Sequence, residues 1–229
     1  MSKTSWLLRL TGGVVLATVA AGAAVAGTYM LALRPIATKW GTTEDEIERP
    51  LPGDDLVPNP KVTLNHAVTI YAPRDKVWPW LTQLGTGRGG WYSYDFIDNA
   101  GTPSADRILP EYQDLKPGDA IPMTAEGKIA MPVVEVEPNH VLVLGGWMNP
   151  ETGEEADPSV ARTGQYFAGS WTFVLDELGS NATRLLVRAR LDWSPRRRNM
   201  FFYGLEPGAF IMDRKMLLGI KERAEKLVA

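Results

Sequence analysis

From Ile129 onward the chain runs through short alternating segments separated by turn residues and then switches to a helical repeat, an order that few architectures accommodate. Ile129 to Val136 and Val141 to Trp147 read as strands joined by Glu137-Pro138-Asn139-His140, which places His140 on a surface turn. Ser170 to Asp176 sets Trp171, Phe173 and Leu175 on one face and Thr172 and Val174 on the other. Thr183 to Leu191 sets Leu185, Val187, Ala189 and Leu191 opposite Arg184, Arg188 and Arg190. The tight turn Gly179-Ser180-Asn181 makes these two an antiparallel hairpin, with Arg188 and Arg190 on a solvated face rather than anchoring a ligand carboxylate. A closing helix is predicted from about Pro207 to Val228, its apolar stripe formed by Ala209, Met212, Met216, Ile220, Ala224 and Leu227.

Upstream, Val62 to Tyr71 alternates as a strand, with His66 on the apolar face as a core or cavity-lining histidine. A helix follows, opened by Pro73, carrying Val77, Trp80, Leu81 and Leu84 at helical spacing and ending at Gly85. Next come Gly85, Gly87, Gly89 and Gly90, and then the aromatics Trp91, Tyr92, Tyr94 and Phe96 interleaved with Asp95 and Asp98. The glycines satisfy G-x-G-x-x-G literally. In a nucleotide fold, however, that motif follows a buried strand and opens a helix, whereas here it follows a helix and opens into aromatics. The run therefore reads as a packed helix-capping loop or as a gate over an apolar cavity, with the aromatics at its rim. Asp95 to Asn99 reads as a second short helix, and 101–119 and 149–169 as loops.

Between Arg9 and Arg34 no charged residue occurs, a run of about two dozen positions that matches a membrane-crossing helix. Ala24-Val25-Ala26 resembles a cleavage site, but the apolar run continues beyond it, which favours a retained anchor. The expected organisation is a tail and transmembrane anchor over 1–34, an acidic, Pro-rich linker arm over 35–61 and a folded domain over 62–229. The folded domain is expected on the extracytoplasmic side of the cell membrane. The arm, with Glu44, Asp45, Glu46 and Glu48 and with Pro50, Pro52, Pro58 and Pro60, is read as a spacer or a wrapped segment without regular structure. Farther on, Arg196, Arg197 and Arg198 precede Phe201, Phe202 and Tyr203, a pairing that suits either an ordinary loop or an anionic membrane surface.

The chemistry open to the chain is narrow. The 229 residues include no Cys and only two His, which excludes disulfides, thiolate nucleophiles and the usual all-histidine zinc site. The net charge is −3 and the basic residues are scattered, so no nucleic-acid partner is expected. No metal or cofactor is expected, and no G-x-S-x-G elbow or His/carboxylate pair is evident in the sequence.

One strand, one or two helices, a run of antiparallel strands and a long closing helix define an α+β order. The segments Thr69-Ile70-x-Ala72-Pro73-x-x-x-Val77-Trp78-Pro79-Trp80-Leu81, Gln83-Leu84-Gly85 through Asp95, Ala105-Asp106-Arg107-Ile108 and Gly118-Asp119 resemble bacterial members of the START and pollen-allergen superfamily, also called SRPBCC or polyketide cyclase/dehydrase-like. The resemblance spans about 62 to 228. It implies a helix-grip fold, in which a curved antiparallel sheet wraps a long C-terminal helix around a hydrophobic cavity for lipids, sterols or polyketides. On that basis the expected function is membrane-tethered binding or transfer of a hydrophobic, lipid-like small molecule, with Arg88, Trp91, Tyr92, Tyr94, Trp147, Trp171, Phe173, Met212 and Met216 at the ligand. The alternative is a cyclase or dehydratase in which Asp95 or Glu111 is the acid/base and Arg107 or Arg88 holds a developing oxyanion.

Overall fold

The computed structural model describes residues 27–229 apart from 125, 128, 153 and 159–163. The chain divides into two compact units, Met1–Ala37 and Thr38–Ala229. In the first, Tyr29–Leu33 is π-helical and runs into the α-helical turn Arg34–Ala37. The remainder of the expected transmembrane segment, residues 10–26, lies outside the described residues. Among those described, no helix is long and apolar enough to cross a membrane.

The second unit is built on a six-stranded antiparallel sheet in the order β1-β6-β5-β4-β3-β2. Its strands are β1 (Val62–Ile70), β2 (Ala120–Pro122), β3 (Ala130–Glu137), β4 (Val141–Met148), β5 (Tyr166–Glu177) and β6 (Thr183–Ser194). The predicted hairpin is present, with Phe173 opposite Val187 and Trp171 opposite Ala189. β5 begins at Tyr166, within the stretch expected to be loop, because Gly169 interrupts the strand-like pattern there while its backbone still pairs with Leu191. Short β2 pairs with β3 and carries too few residues to show a period.

Among the described residues, four α-helices accompany the sheet: α1 (Glu44–Glu48), α2 (Arg74–Thr82), α3 (Asp95–Asp98) and α4 (Asn199–Lys226). α2 starts after Pro73 and buries Val77, Trp78, Trp80 and Leu81. α4 begins well before Pro207, which lies inside it. Its buried residues are Glu206, Met216, Leu217, Gly219, Ile220 and Ala224, whereas Leu227, expected in the stripe, is half-exposed at the frayed end. α2 and α4 cover one face of the sheet, where Leu142, Leu144, Phe173, Leu175, Leu185 and Val187 join Trp80, Leu81, Met216 and Ile220 in one contiguous core.

The opposite face is not solvated, and this corrects the expected placement of Arg188 and Arg190. Residues 38–61 wrap over it, so the acidic, Pro-rich arm belongs to the same unit as the sheet. Along β1's free edge, the Asn65 and Ala67 amides donate to Thr38 O (2.7 Å) and Trp40 O (3.1 Å). α1 carries a capping box, with Thr43 bonded to the Glu46 amide and Glu46 to the Thr43 amide, and its Glu46 carboxylate also pairs with Arg184 (2.7 Å). Leu51 and Leu56 pack on Ala67, Val141, Val143, Val174 and Leu186. Arg188, 3% exposed, donates to the carbonyls of Glu46, Ile47 and Arg49 and to the Asp54 and Asn65 side chains. Arg190 reaches Val57 O (2.9 Å) and Pro58 O (3.1 Å). Both arginines are staples between layers, each spending its fork of donors on arm carbonyls that lack a secondary-structure partner.

Candidate functional site

The glycine-rich run folds as a closed turn. Gly85 and Gly90 exchange amide hydrogen bonds (3.2 and 3.1 Å), and the Gly89 amide donates to Gln83 O (2.7 Å). These N–H groups are spent within the turn, so it offers no phosphate cradle. Gly90 has φ +79°, and a Cβ there would stand 2.4 Å from Ser104 Oγ. Arg88, expected at the ligand, caps α2 instead. Its Nε and Nη2 donate to Leu84 O (2.9 Å) and Thr82 O (2.8 Å), its guanidinium lies over the Tyr112 ring, and burial lowers its pKa. Gln83, fully buried, ties the turn to the following loop through Arg107 O and the Leu109 amide.

The aromatics after this turn do not form a rim. Trp91 is 5% exposed, stacks on Trp171 (5.6 Å) and donates from Nε1 to Thr86 Oγ1 (3.0 Å). Tyr92, 2% exposed, packs edge to face on Trp80, whereas Tyr94 is 43% exposed. Trp147 lies on the arm's side of the sheet, where its Nε1 donates to Leu56 O (2.9 Å). Trp91, Phe173 and Met216, with the partly buried Trp171, belong to the contiguous core. Where a greasy hollow between sheet and closing helix was expected, the protein's own side chains meet. The misplacement has a physical cause: an aromatic after a glycine turn carries the same composition whether it lips a cavity or plugs one.

A cleft of about 520 Å³ opens instead between the aromatic segment and the outer side of α4's C-terminal half. Trp80 and Tyr92 floor it; Ser93, Asp95, Ser104 and Asp106 form one wall; Lys215, Glu222, Arg223 and Lys226 form the other. α4 comes this close because of Gly219, where a Cβ would meet Tyr92 O at 2.3 Å. Ser104 Oγ accepts from the Tyr92 amide (3.0 Å) and donates to the Asp95 carboxylate. Arg223 is fixed by Ala105 O (2.8 Å) and Gly219 O (3.2 Å), with its guanidinium 4.7 Å from the Tyr92 ring centre. Burial pushes the Tyr92 phenol well above its ordinary pKa, keeping it a neutral donor. On the other wall, Lys226 pairs with Glu222 (2.6 Å) and holds its carboxyl below the usual range. Trp80 Nε1 and Tyr92 Oη are shielded from water and make no well-formed hydrogen bond among the described residues.

Of the residues nominated from sequence, Tyr92 and Asp95 line this cleft. Glu111 and Arg107 are exposed and stand outside it, so the acid/base and oxyanion candidates do not converge. Met212 is half-buried, and its carbonyl accepts from Ser93 Oγ (3.1 Å). A His/carboxylate pair absent from the sequence reading does occur: His66 Nδ1, 1% exposed, lies 3.2 Å from Asp213 Oδ2, beside Trp40 and Phe210. It sits outside the cleft lining and joins β1 to α4. Its partner lies far along the chain, so no local spacing announces it. Among the described residues, no group of three or more His, Asp or Glu is arranged to hold a metal ion.

An antiparallel sheet with a long C-terminal helix packed across one face defines an α+β architecture of the helix-grip kind. No protein-family profile matches the sequence, and no curated protein matches it. Similar solved structures include the protein NE0264 from Nitrosomonas europaea, with 16% identity, TM-score 0.42 and coverage of 78% of this chain and 99% of that one. They also include a START superfamily protein from Mycobacterium smegmatis, with 13% identity, TM-score 0.41 and coverage of 72% and 98%. DynU16, a putative protein of the dynemicin biosynthetic locus, shows 16% identity, TM-score 0.37 and coverage of 68% and 45%.

Proposed function

We propose that the protein binds a small amphiphilic molecule, lipid-like in having an apolar body and a charged or strongly polar head, and holds it at a membrane to which its N-terminal uncharged run ties it. The observation that carries this reading is the 520 Å³ cleft, within the usual range for small-molecule sites, with an aromatic floor beneath walls of both charges. Arg223 supports a head-group role. Two of its nitrogens are fixed on backbone carbonyls, so little side-chain freedom remains to be lost when an anionic group meets its outer edge.

A second reading, a cyclase or dehydratase acting on an apolar polyketide-like substrate, is favoured by one specific observation: Asp95 lines the same cleft as Arg223 and Tyr92. Native mass spectrometry of the full chain extracted from membranes is expected to show a bound species, and a dansyl-labelled fatty acid is expected to bind saturably. Arg223→Met should weaken that binding about tenfold, the loss of one charge-assisted contact. A uniformly empty protein that binds the probe with no saturation, or an unchanged Kd for Arg223→Met, overturns the assignment. Turnover of a bound species that Asp95→Asn abolishes without loss of binding selects the enzymatic reading.

A further inference from the structure

The first half of α4 is apolar on both sides, with Phe202, Tyr203 and Ala209 packed inward and a second set of large apolar residues facing out. Between Asn199 and Met212 the one acidic residue, Glu206, is 5% exposed, while Met200 is 89%, Phe201 64%, Leu205 51% and Ile211 51% exposed. These four recur at helical spacing and form, with the exposed Gly204 and Gly208, an uncharged stripe down the outer side of the helix. The turn that precedes it, Arg196–Arg198, adds cations at one end. Arg198 is spent on Gln165 Oε1 (2.8 Å), leaving Arg196 and Arg197 outward and exposed. At the other end Ser93, two residues before α3, bonds to Met212 O, and α3 carries the 89%-exposed Phe96.

From this arrangement we infer that the N-terminal half of α4, led by Arg196 and Arg197, docks in the plane of an anionic lipid surface. A helix that lies in a bilayer interface presents this combination: an apolar face that sinks into the acyl boundary, and cations at its edge that meet lipid phosphates. Charge complementarity selects the occupant. The stripe carries no exposed acid to repel anionic lipid, and it is too narrow for a stable protein interface, which takes about 20 to 30 residues a side. The docking surface is separate from the ligand cleft, which uses α4's C-terminal half. Its occupancy and its test are therefore independent of ligand binding.

The absence of cysteine makes the test direct. Full chains carrying Phe201→Cys or, as control, Leu178→Cys in the β5–β6 turn are labelled with an environment-sensitive fluorophore. They are then reconstituted into vesicles of phosphatidylcholine with or without about one third phosphatidylglycerol. In anionic vesicles the label at 201 is expected to shift to the blue and to be quenched by nitroxide-bearing lipid, while the label at 178 stays water-like. Arg196→Gln with Arg197→Gln, both at exposed positions that leave the core untouched, should lower the docked-to-undocked ratio roughly 30-fold. High salt should act in the same direction. A water-like label at 201 in both membranes overturns the inference. So does a blue shift that grows with protein density and resists lipid-borne quencher, which would mark contact between two copies.

Discussion

Arg188 offers the most searching test of the two-faced sheet. Its guanidinium makes five hydrogen bonds, to Asn65 Oδ1 (2.7 Å), Asp54 Oδ2 (2.7 Å) and the carbonyls of Glu46 (2.9 Å), Ile47 (2.8 Å) and Arg49 (2.9 Å), with the residue 3% exposed. Arg188→Met keeps the apolar stem and removes every donor. Five charge-assisted bonds at about 1.5–3 kcal/mol each would add to an implausible total, because the bonds are not independent. The arm carbonyls also regain water if the arm lifts. The relevant magnitude is the loss of one partner from a buried ion pair, about 3–5 kcal/mol. For a chain of this size that lowers Tm by roughly 6–20 °C. Arg188→Lys should recover little, since one ammonium cannot span acceptors arrayed around a planar fork. Urea denaturation followed by Trp fluorescence gives the stability, and hydrogen exchange shows where it is lost. The Asn65 and Ala67 amides, bonded to Thr38 O and Trp40 O, should exchange faster as the arm detaches. A loss below about 1 kcal/mol with unchanged protection of those amides would refute the claim that Arg188 fastens the arm.

Two further outcomes probe the cleft's supporting loops. Asp98 is half-buried, its carboxylate oxygens lack well-formed hydrogen bonds, and burial, reinforced by the charge of Asp95, raises its pKa above 3.8 against partial relief from Ser93 and backbone N–H groups. A carboxyl with a raised folded pKa binds its proton more tightly in the fold, so stability falls as pH rises through the window above 3.8. Asp98→Asn should therefore raise neutral-pH stability by up to about 1 kcal/mol after allowance for solvent screening, with the gain vanishing near pH 3 in paired pH-dependent melts. Gly90→Ala should destabilise by roughly 2 kcal/mol or more, because φ +79° disfavours a side chain and the new methyl displaces Ser104 from Tyr92 and Asp95. A Gly→Ala exchange at an unstrained site stabilises instead, so the sign of the change in chemical denaturation decides the point.

The elements legible in the sequence were those with a period. β1, the β5–β6 hairpin, α2 and α4's core stripe around Met216, Ile220 and Ala224 follow from alternation or helical spacing. The arm has no period: four prolines hide its course, and its attachment is written on the residues it covers. A usable signal was nevertheless present in Val141-Leu142-Val143-Leu144, a strand apolar on both sides, all four residues at most 2% exposed, where a half-solvated sheet would alternate. That run required a cover for the second face, and with it a structural use for Arg188. The site was less legible than the fold. Tyr92 and Asp95 stood in a conspicuous segment, but Arg223 and Gly219 come from the far end of the chain, and only the packing of α4 on the loop assembles them.

The division of labour along α4 follows from where its two halves find partners. In the C-terminal half, Met216, Leu217, Ile220 and Ala224 face the core, so the outward positions 215, 222, 223 and 226 are free to carry charge and do. In the N-terminal half the inward side meets a mixed surface: Asp213 beside His66, and Tyr203 and Phe202 against Trp193. Phe202, Tyr203 and Ala209 fill the inward side with the buried Glu206, while Met200, Phe201, Leu205 and Ile211 are left outside. Solubility alone would select against an exposed Met200-Phe201 pair at a helix start, since exposed aromatic and aliphatic clusters invite association. Its placement beside two outward arginines is what a surface-docking role requires, and Phe201→Glu separates the two demands. Replacing the aromatic with a charge should leave the unfolding free energy within about 0.5 kcal/mol of the parent's, because the side chain buries little, yet should abolish docking on anionic vesicles. A large fall in stability would instead place Phe201 in the packing around Phe202 and remove the reason to assign that face to lipid.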